Sequence, residues 1–324
     1  MTLLVFQKLL AILFTIALGY VVARARWLGE DMGAVARVLG NIAFTVFVPA
    51  LLFRTTARLD FATLPWRTVS AFFVPVLVVL LGTYLWQRRR QPAQPAAPAV
   101  RAISASFGNS VQLGIPFAAA LFGEAGLGIH ITLVSLHALV LLTVSTTLAE
   151  LDCAHARAAH LVARPLAHTL MRTVRNTALH PVVLPVLAGL AWNLVGLGLH
   201  EVVDEVLVLL ATAVAPVCLV LIGATLAAYG LRGRVHAAAG IAALKLLVQP
   251  ALVLLVAHWG FGLAGVPLAV VVMLAAMPVG SNALIFAQRY DTLEAEATAA
   301  IVLSTFAFAA SAALWLALLG HVGG

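Results

Sequence analysis

Long apolar runs of about twenty residues, separated by short basic or Gly/Pro-rich stretches, leave this chain few folds to choose from. A backbone N–H or C=O carried into hydrocarbon must find its partner inside the protein, so each run reads as a spanning α-helix. Composition agrees. Of 324 residues, 63% are apolar and 10% charged, whereas a soluble globular chain carries about 25% charge. The expected fold class is an all-α polytopic membrane protein, with spans predicted near 3–23, 33–53, 68–87, 100–122, 127–149, 178–198, 204–229, 236–259, 265–288 and 297–319. The first run lacks a basic leader, so no cleaved signal peptide is expected there.

Charge then sets the orientation. With about ten spans and loops taken alternately, one side receives Arg24, Arg26, Arg37, Arg88, Arg89, Arg90, Arg101, Arg157, Arg164, Arg172, Arg175, Arg232, Arg234 and Arg289, and the other only Arg54, Arg58 and Arg67. The positive-inside rule makes the arginine-rich side cytoplasmic and puts both termini outside, in a multi-pass protein of the cytoplasmic (inner) membrane. The net charge of +7 is thereby explained by topology and lipid headgroups, with no nucleic-acid partner required.

Two apolar runs are interrupted by proline and polar residues at matching places in the two halves. SFGNSVQLGIPFAAALFG surrounds Pro116 and MLAAMPVGSNALIFAQRY surrounds Pro278. Pro49 and Pro216 form a second matched pair, and the two offsets are close to one another, 167 and 162 residues. The chain therefore reads as a duplication. Residues 1–149 would form a first five-helix repeat, 150–177 a basic cytoplasmic linker, and 178–324 a second repeat. Five is odd, so the second copy enters the membrane from the opposite side, the inverted arrangement on which alternating access around a midplane site is built. Arg157, His160, Arg164, His168, Arg172 and Arg175 recur at helical spacing in the linker, as in a helix lying on an anionic surface or in a solvated connector. RRRQPAQPAAPA, residues 88–99, reads as an extended connector.

A proline inside a helix cannot donate to the carbonyl four residues back, so Pro116 is expected to free that of Gln112 and Pro278 that of Leu274. Such a break is tolerated at membrane depth only in buried protein or beside a wet cavity. Ser106, Asn109 and Gln112 are three apart and would share a helix face beside the first break. Ser281 and Asn282 would open the second half-helix, where free N–H groups carry partial positive charge. Amides and hydroxyls of this kind orient a carboxylate without placing a full charge in the membrane. The other reading of the same residues is interhelical hydrogen bonding.

Lys245 is the one well-centred cation of the second half, with Gln249 a turn away and Pro250 next. It would pair with substrate or snorkel to the cytoplasmic face; Lys8 would snorkel outward. No Asp or Glu falls near the middle of a predicted span, which argues against a carboxylate proton relay, although freed carbonyls could still hold a cation, so H+ or Na+ coupling stays open. His137 and His180 would be hydrogen-bonded between helices or titrate. Cys153, in a central loop, and Cys218 are too distant in sequence for a pair. No metal site, cofactor or catalytic residue is expected. GFGLAG, residues 260–265, joins two spans rather than a strand and a helix, and His200, Glu201 and Asp204 give HExxD where a zinc protease needs HExxH.

NSVQLGIPFAAALFGEAGL, FTVFVPALLF, KLLVQPAL and MPVGSNALIFAQRYD together resemble the auxin efflux carrier family, which includes plant PIN-type auxin carriers and bacterial malonate or malate permeases. The resemblance covers nearly the whole chain. It implies a fold related to bile acid sodium symporters, with a scaffold domain, a transport domain whose fourth and ninth spans cross at their prolines, and a homodimer. Carried over by position, Asn109, Gly114 and Pro116 match the first crossover, Pro278 the second, and Lys245 a family tendency toward a polar residue before the eighth-span proline. The plant carriers' long central loop is absent, as in a bacterial member. The function expected is carriage of a small organic anion, a mono- or dicarboxylate, held by Asn109, Gln112, Ser281 and Asn282. A sodium-coupled symporter of a bulkier amphipathic anion and a non-transporting membrane sensor or scaffold are the alternatives.

Overall fold

The computed structural model describes residues 3–27, 29, 31–58, 64–90, 93–111, 113–159, 179, 181, 183–229 and 235–322. Gln112, His180, the linker from 160 to 178 and the side chain of Lys8 lie outside the described residues. Within them all regular structure is helical. In order, α1 is Leu3–Arg24, α2 Met32–Ile42, α3 Val48–Ala57, α4 Trp66–Arg89, α5 Ala97–Ser106 and α6 Gly114–Ala159. There follow α7 Val183–Val195, α8 Glu201–Tyr229, α9 Val235–Ala243, α10 Gln249–Leu255, α11 Gly265–Ala275, α12 Asn282–Arg289 and α13 Glu294–Val322. Among the described residues six helices are long and apolar enough to cross a membrane, namely Gly33–Ala57, Trp66–Arg89, Phe117–Ala156, Glu201–Ala228, Val235–Gly260 and Glu294–His321. Leu13–Arg24, Val183–Val195 and Gly265–Ala275 are shorter apolar helices.

The long helices depart from regular α geometry in two different ways. Ahead of Pro49 and of Pro250 the helix widens into a π-turn, Ala43–Phe47 between α2 and α3 and Leu244–Val248 between α9 and α10. The wider turn accommodates a ring that has no N–H to give, and the chain stays helical. In α6, by contrast, Gly123 leaves helical geometry altogether at φ 61° and ψ −160°. It separates the end of one predicted span from the start of the next.

Three local expectations need correction. The first break lies at Phe107–Leu113, ahead of Pro116, which is the third residue of α6. A first-turn residue has no carbonyl four back to serve, so this proline starts a helix instead of breaking one. Residues 88–99 are not an extended connector. Helix α4 runs to Arg89 and α5 begins at Ala97 with Pro98 in its first turn, after a turn at 93–96 whose Ala96 is buried. Cys153 belongs to α6, which continues to Ala159 and takes up the first ten residues assigned to the linker.

The helices pack in two groups that both draw on the two halves of the sequence. In one, α1 runs along α8, α2 and α3 pack on α8, and α3 packs on α7. In the other, α4 packs on α5, α5 on α6, α6 on α11, α10 on α4 and α11, and α9 on α13. Close approach in the first group depends on glycine. A Cβ at Gly19 would lie 2.1 Å from the Val220 carbonyl oxygen, and one at Gly223 only 1.9 Å from that of Ile16. Small residues of this kind let membrane helices meet backbone to backbone.

Replacing Gly223 with Val forces α1 and α8 apart and is expected to lower stability by about 1–3 kcal/mol. Gly82→Ala, where an added Cβ meets nothing within 4 Å, should be neutral or slightly stabilising. Thermal unfolding of both variants in detergent checks the difference.

Candidate functional site

The two broken segments meet. Asn109 N–H donates to the Pro278 carbonyl at 2.8 Å and Gly280 N–H to that of Phe107 at 2.9 Å, an isolated antiparallel bridge centred on Gly108 and Val279. Only glycine fits at 280, since a Cβ there would lie 2.8 Å from the Gly108 carbonyl oxygen. The remaining N–H groups of the bridge point away from it and are met by side chains. Gly108 N–H donates to His137 Nε2 at 3.1 Å, and Val279 N–H to Ser304 Oγ at 3.0 Å. His137 is thus an acceptor at Nε2, neutral, and bonded between helices.

The negative ends of the helices that run into the bridge are capped from the α9–α10 helix. Lys245 Nζ donates to the carbonyl of Ala275, the last residue of α11, at 2.5 Å. Gln249 Nε2 donates to that of Ser106, the last residue of α5, at 3.2 Å. The π-turn lies between these helices and holds Lys245, with Gln249 directly after it. Lys245 is wholly buried, so it does not snorkel, and a basic group at the C-terminus of α11 is favoured by that helix's dipole. The Leu274 carbonyl, expected to be free, accepts from Met277 N–H at 3.3 Å.

In front of the bridge lies a cavity of about 370 Å³ lined by residues 107–111 of the first break and 280–282 of the second. Leu51, Leu52, Arg54 and Thr55 of α3 and Val208, Ala211, Thr212 and Val214 of α8 form its opposite wall, with Val134, Ser135 and Ala138 of α6 at the side. The cavity therefore sits between the two packing groups. Its mostly aliphatic wall carries a few polar groups, the usual make-up of a small-molecule site. Asn109 has both backbone groups fixed, its carbonyl accepting from Gly114 N–H at 3.1 Å, while its side-chain amide makes no hydrogen bond among the described residues. Asn282 Oδ1 is likewise buried without a partner among them.

Of the residues singled out from sequence, Asn109, Ser281 and Asn282 come together in this wall. Gln112 lies outside the described residues. Gly114 opens α6, where a Cβ would press on the His130 ring at 2.8 Å, and Pro116 follows in the same turn. Pro278 belongs to the bridge, and Lys245 stands behind it, outside the cavity lining. Ser106 and Asn109 do not share a helix face, because α5 ends at Ser106, whose hydroxyl donates back to Ala102. Sequence reading missed Arg54, Thr55, Ser110, Ser135 and Thr212. The hydroxyls of Thr55, Ser135 and Thr212 donate back to their own helices, so nothing in their spacing sets them apart. Arg54 was assigned to topology.

A family model described as "Membrane transport protein" matches residues 4–316. The chain belongs to this family, that of the auxin efflux carriers. An "Uncharacterized transporter" of Methanothermobacter thermautotrophicus is 26% identical over 317 residues, spanning 95% of this chain and 96% of the relative. A "Putative malonate transporter" of Rhizobium meliloti is 26% identical over 312 residues, 90% of this chain and 88% of the relative. These are transporters rather than enzymes.

Every polar group of the bridge is buried, so removing one partner leaves the other unsatisfied. Gln249→Leu and Ser304→Ala are each expected to lower stability by about 1–3 kcal/mol. Thr132→Val, at an exposed hydroxyl that only bonds back to Gly128, should change it by less than about 0.5 kcal/mol. Denaturation midpoints of the three purified variants test this.

Proposed function

We infer that this transporter carries a small organic anion, a mono- or dicarboxylate, across the cytoplasmic membrane by alternating access. The observation that carries the reading is the cavity's place between the two packing groups, with both helix breaks in its wall. The breaks belong to one group and α3 and α8 to the other, so rigid-body movement of one group past the other would turn the bound molecule from one side to the other. Asn109, Ser281 and Asn282 supply donors and acceptors for a carboxylate, Gln112 follows Asn109 in the same break, and the N-terminal end of α12 favours negative charge. Gly114, Pro116 and Pro278 shape the breaks, and Lys245 holds the second one from behind. The name of the Rhizobium relative points to the same class of substrate.

Ten spans in two inverted five-helix repeats, 1–149 and 178–324, joined by a cytoplasmic linker at 150–177, account best for this arrangement. Support comes from the ends of the helices. Arg54 and Arg58 pair with Asp204, and Arg67 donates to the Phe261 and Gly262 carbonyls, contacts among loops assigned outside. Arg88 pairs with Asp152, Arg101 with Glu296, and Tyr290 donates to Glu150, contacts among loops assigned to the cytoplasm. Lipid surrounds the bundle, and a homodimer in the inner membrane, with both termini outside, is part of the proposal. Sodium-independent transport is proposed because, among the described residues, the Leu274 and Ala275 carbonyls already accept hydrogen bonds, from Met277 N–H and Lys245 Nζ.

Counterflow of radiolabelled malonate in proteoliposomes, with sodium or potassium, is the direct test. Uptake independent of sodium is expected; a strict sodium requirement would transfer the reading to a symporter, and binding without counterflow to a sensor. Asn109→Ala should weaken binding by about 1–3 kcal/mol. Unchanged affinity in the folded variant would remove Asn109 from the site.

A further inference from the structure

Among the described residues Arg54 is the one charged residue in the cavity wall. It lies in the last turn of α3, with Arg58 four residues on at the helix cap, and two cations at this spacing repel. Asp204, near the start of α8, relieves both. Arg54 Nε donates to Asp204 Oδ1 at 2.7 Å and Nη2 to Oδ2 at 3.2 Å, while Arg58 Nη1 donates to Oδ2 at 2.5 Å. One carboxylate thus serves two guanidinium groups, and the cluster keeps a net charge of +1. The side chains of Arg54 and Asp204 are 32% and 21% exposed, so the pair is neither sealed in the protein nor fully screened by solvent. Arg54 Nη1 makes no hydrogen bond among the described residues.

We propose that Arg54 is a carboxylate-binding residue of the cavity, that Asp204 occupies its guanidinium fork in the empty state, and that the preferred ligand is therefore a dicarboxylate. The proposal rests on the reading of the cavity as an organic-anion site. One carboxylate of the ligand lies against the amides of Asn109 and Asn282. A second would be an unpaired charge in an aliphatic pocket, unless it meets the fork. Arginine offers parallel N–H donors whose geometry matches a carboxylate, and the ligand's far carboxylate takes them by displacing Asp204, which keeps Arg58. A monocarboxylate has nothing to offer the fork and leaves the internal pair closed. Asp204 is in effect a tethered competitor: the affinity of a dicarboxylate is reduced by the fraction of time that the fork is occupied.

The test is calorimetric titration of the full-length protein in detergent with malonate and succinate and with their monomethyl esters, which have nearly the same size and one charge fewer. Arg54→Gln is expected to reduce the preference for diacid over monoester about tenfold, the loss of one charge-assisted hydrogen-bonding partner. Asp204→Asn should tighten the diacids several-fold by opening the fork, and the double variant Arg54→Gln/Asp204→Asn should lose that gain. Arg58→Gln, outside the lining, should weaken the diacids by leaving Asp204 wholly to Arg54. Melting without ligand identifies variants that fail to fold, and the double variant, which removes both charges together, keeps the test available if a single one does. An unchanged diacid preference in Arg54→Gln, or unchanged diacid affinity in Asp204→Asn, overturns the proposal alone, provided that the wild type binds the carboxylates. If the wild type binds neither diacid nor monoester, the organic-anion reading falls and this proposal with it.

Discussion

The bridge between Phe107–Asn109 and Pro278–Gly280 is the constraint on which the rest of the architecture depends. Two helices are interrupted where water is scarce, and each exposed backbone group left without a partner would cost several kcal/mol in hydrocarbon. The solution is mutual. Each break supplies what the other lacks, in a two-bond antiparallel ladder, and the groups facing outward are met by His137 and Ser304 from the helices that follow each break. Gly280 is there because the two backbones pass too close for a side chain, whereas a Cβ at Gly108 would press on the Met277 and Lys245 side chains.

Once the breaks are bonded to each other they belong to one body, and this dictates how the helices group. Helices α4, α5, α6 and α9 to α13 surround the bridge and bury its polar groups, whereas α1 to α3, α7 and α8 are packed tightly among themselves through Gly19 and Gly223. Contacts within each group are close and specific. The boundary between them is left with a cavity. That cavity has one wall on each group, the arrangement from which the proposed alternating access is argued, since relative motion of the groups would leave the hydrogen bonds of the bridge intact.

Much of this was legible in the sequence, for reasons that differ from element to element. Apolar runs fixed where helices lie because the hydrophobic signal is continuous over about twenty residues. The two breaks were visible because glycine, proline and amides are costly in a spanning helix and need a reason to be there. What sequence missed was the exact seat of the first break: Pro116 marks the start of α6, and the interruption begins nine residues earlier, at Phe107, where the chain is drawn into pairing with a segment about 170 residues away. Arg54 was read as a topology charge because its partner, Asp204, is brought alongside only by the packing of α3 on α8. Lys245 stands out in the sequence as a basic residue inside an apolar run, yet its partner, the Ala275 carbonyl, is available only because α11 stops there.

The electrostatics of the two faces of the bridge are unequal, and the inequality explains why no acidic residue is needed at its centre. Behind it, the C-terminal ends of α5 and α11 present partial negative charge, and these ends are met by Gln249 and by the ammonium of Lys245. In front, the first residues of α12 line the cavity beside Asn109, with the partial positive charge of a helix N-terminus and, among the described residues, no carboxylate in the lining. A carboxylate at the centre would cancel that positive face and compete with Ala275 for Lys245, in the way that Asp204 competes for Arg54 at the rim. Among the described residues the lining holds no carboxylate, so the wall formed by Asn109 and the start of α12 favours negative charge through dipoles and amides that carry little desolvation cost.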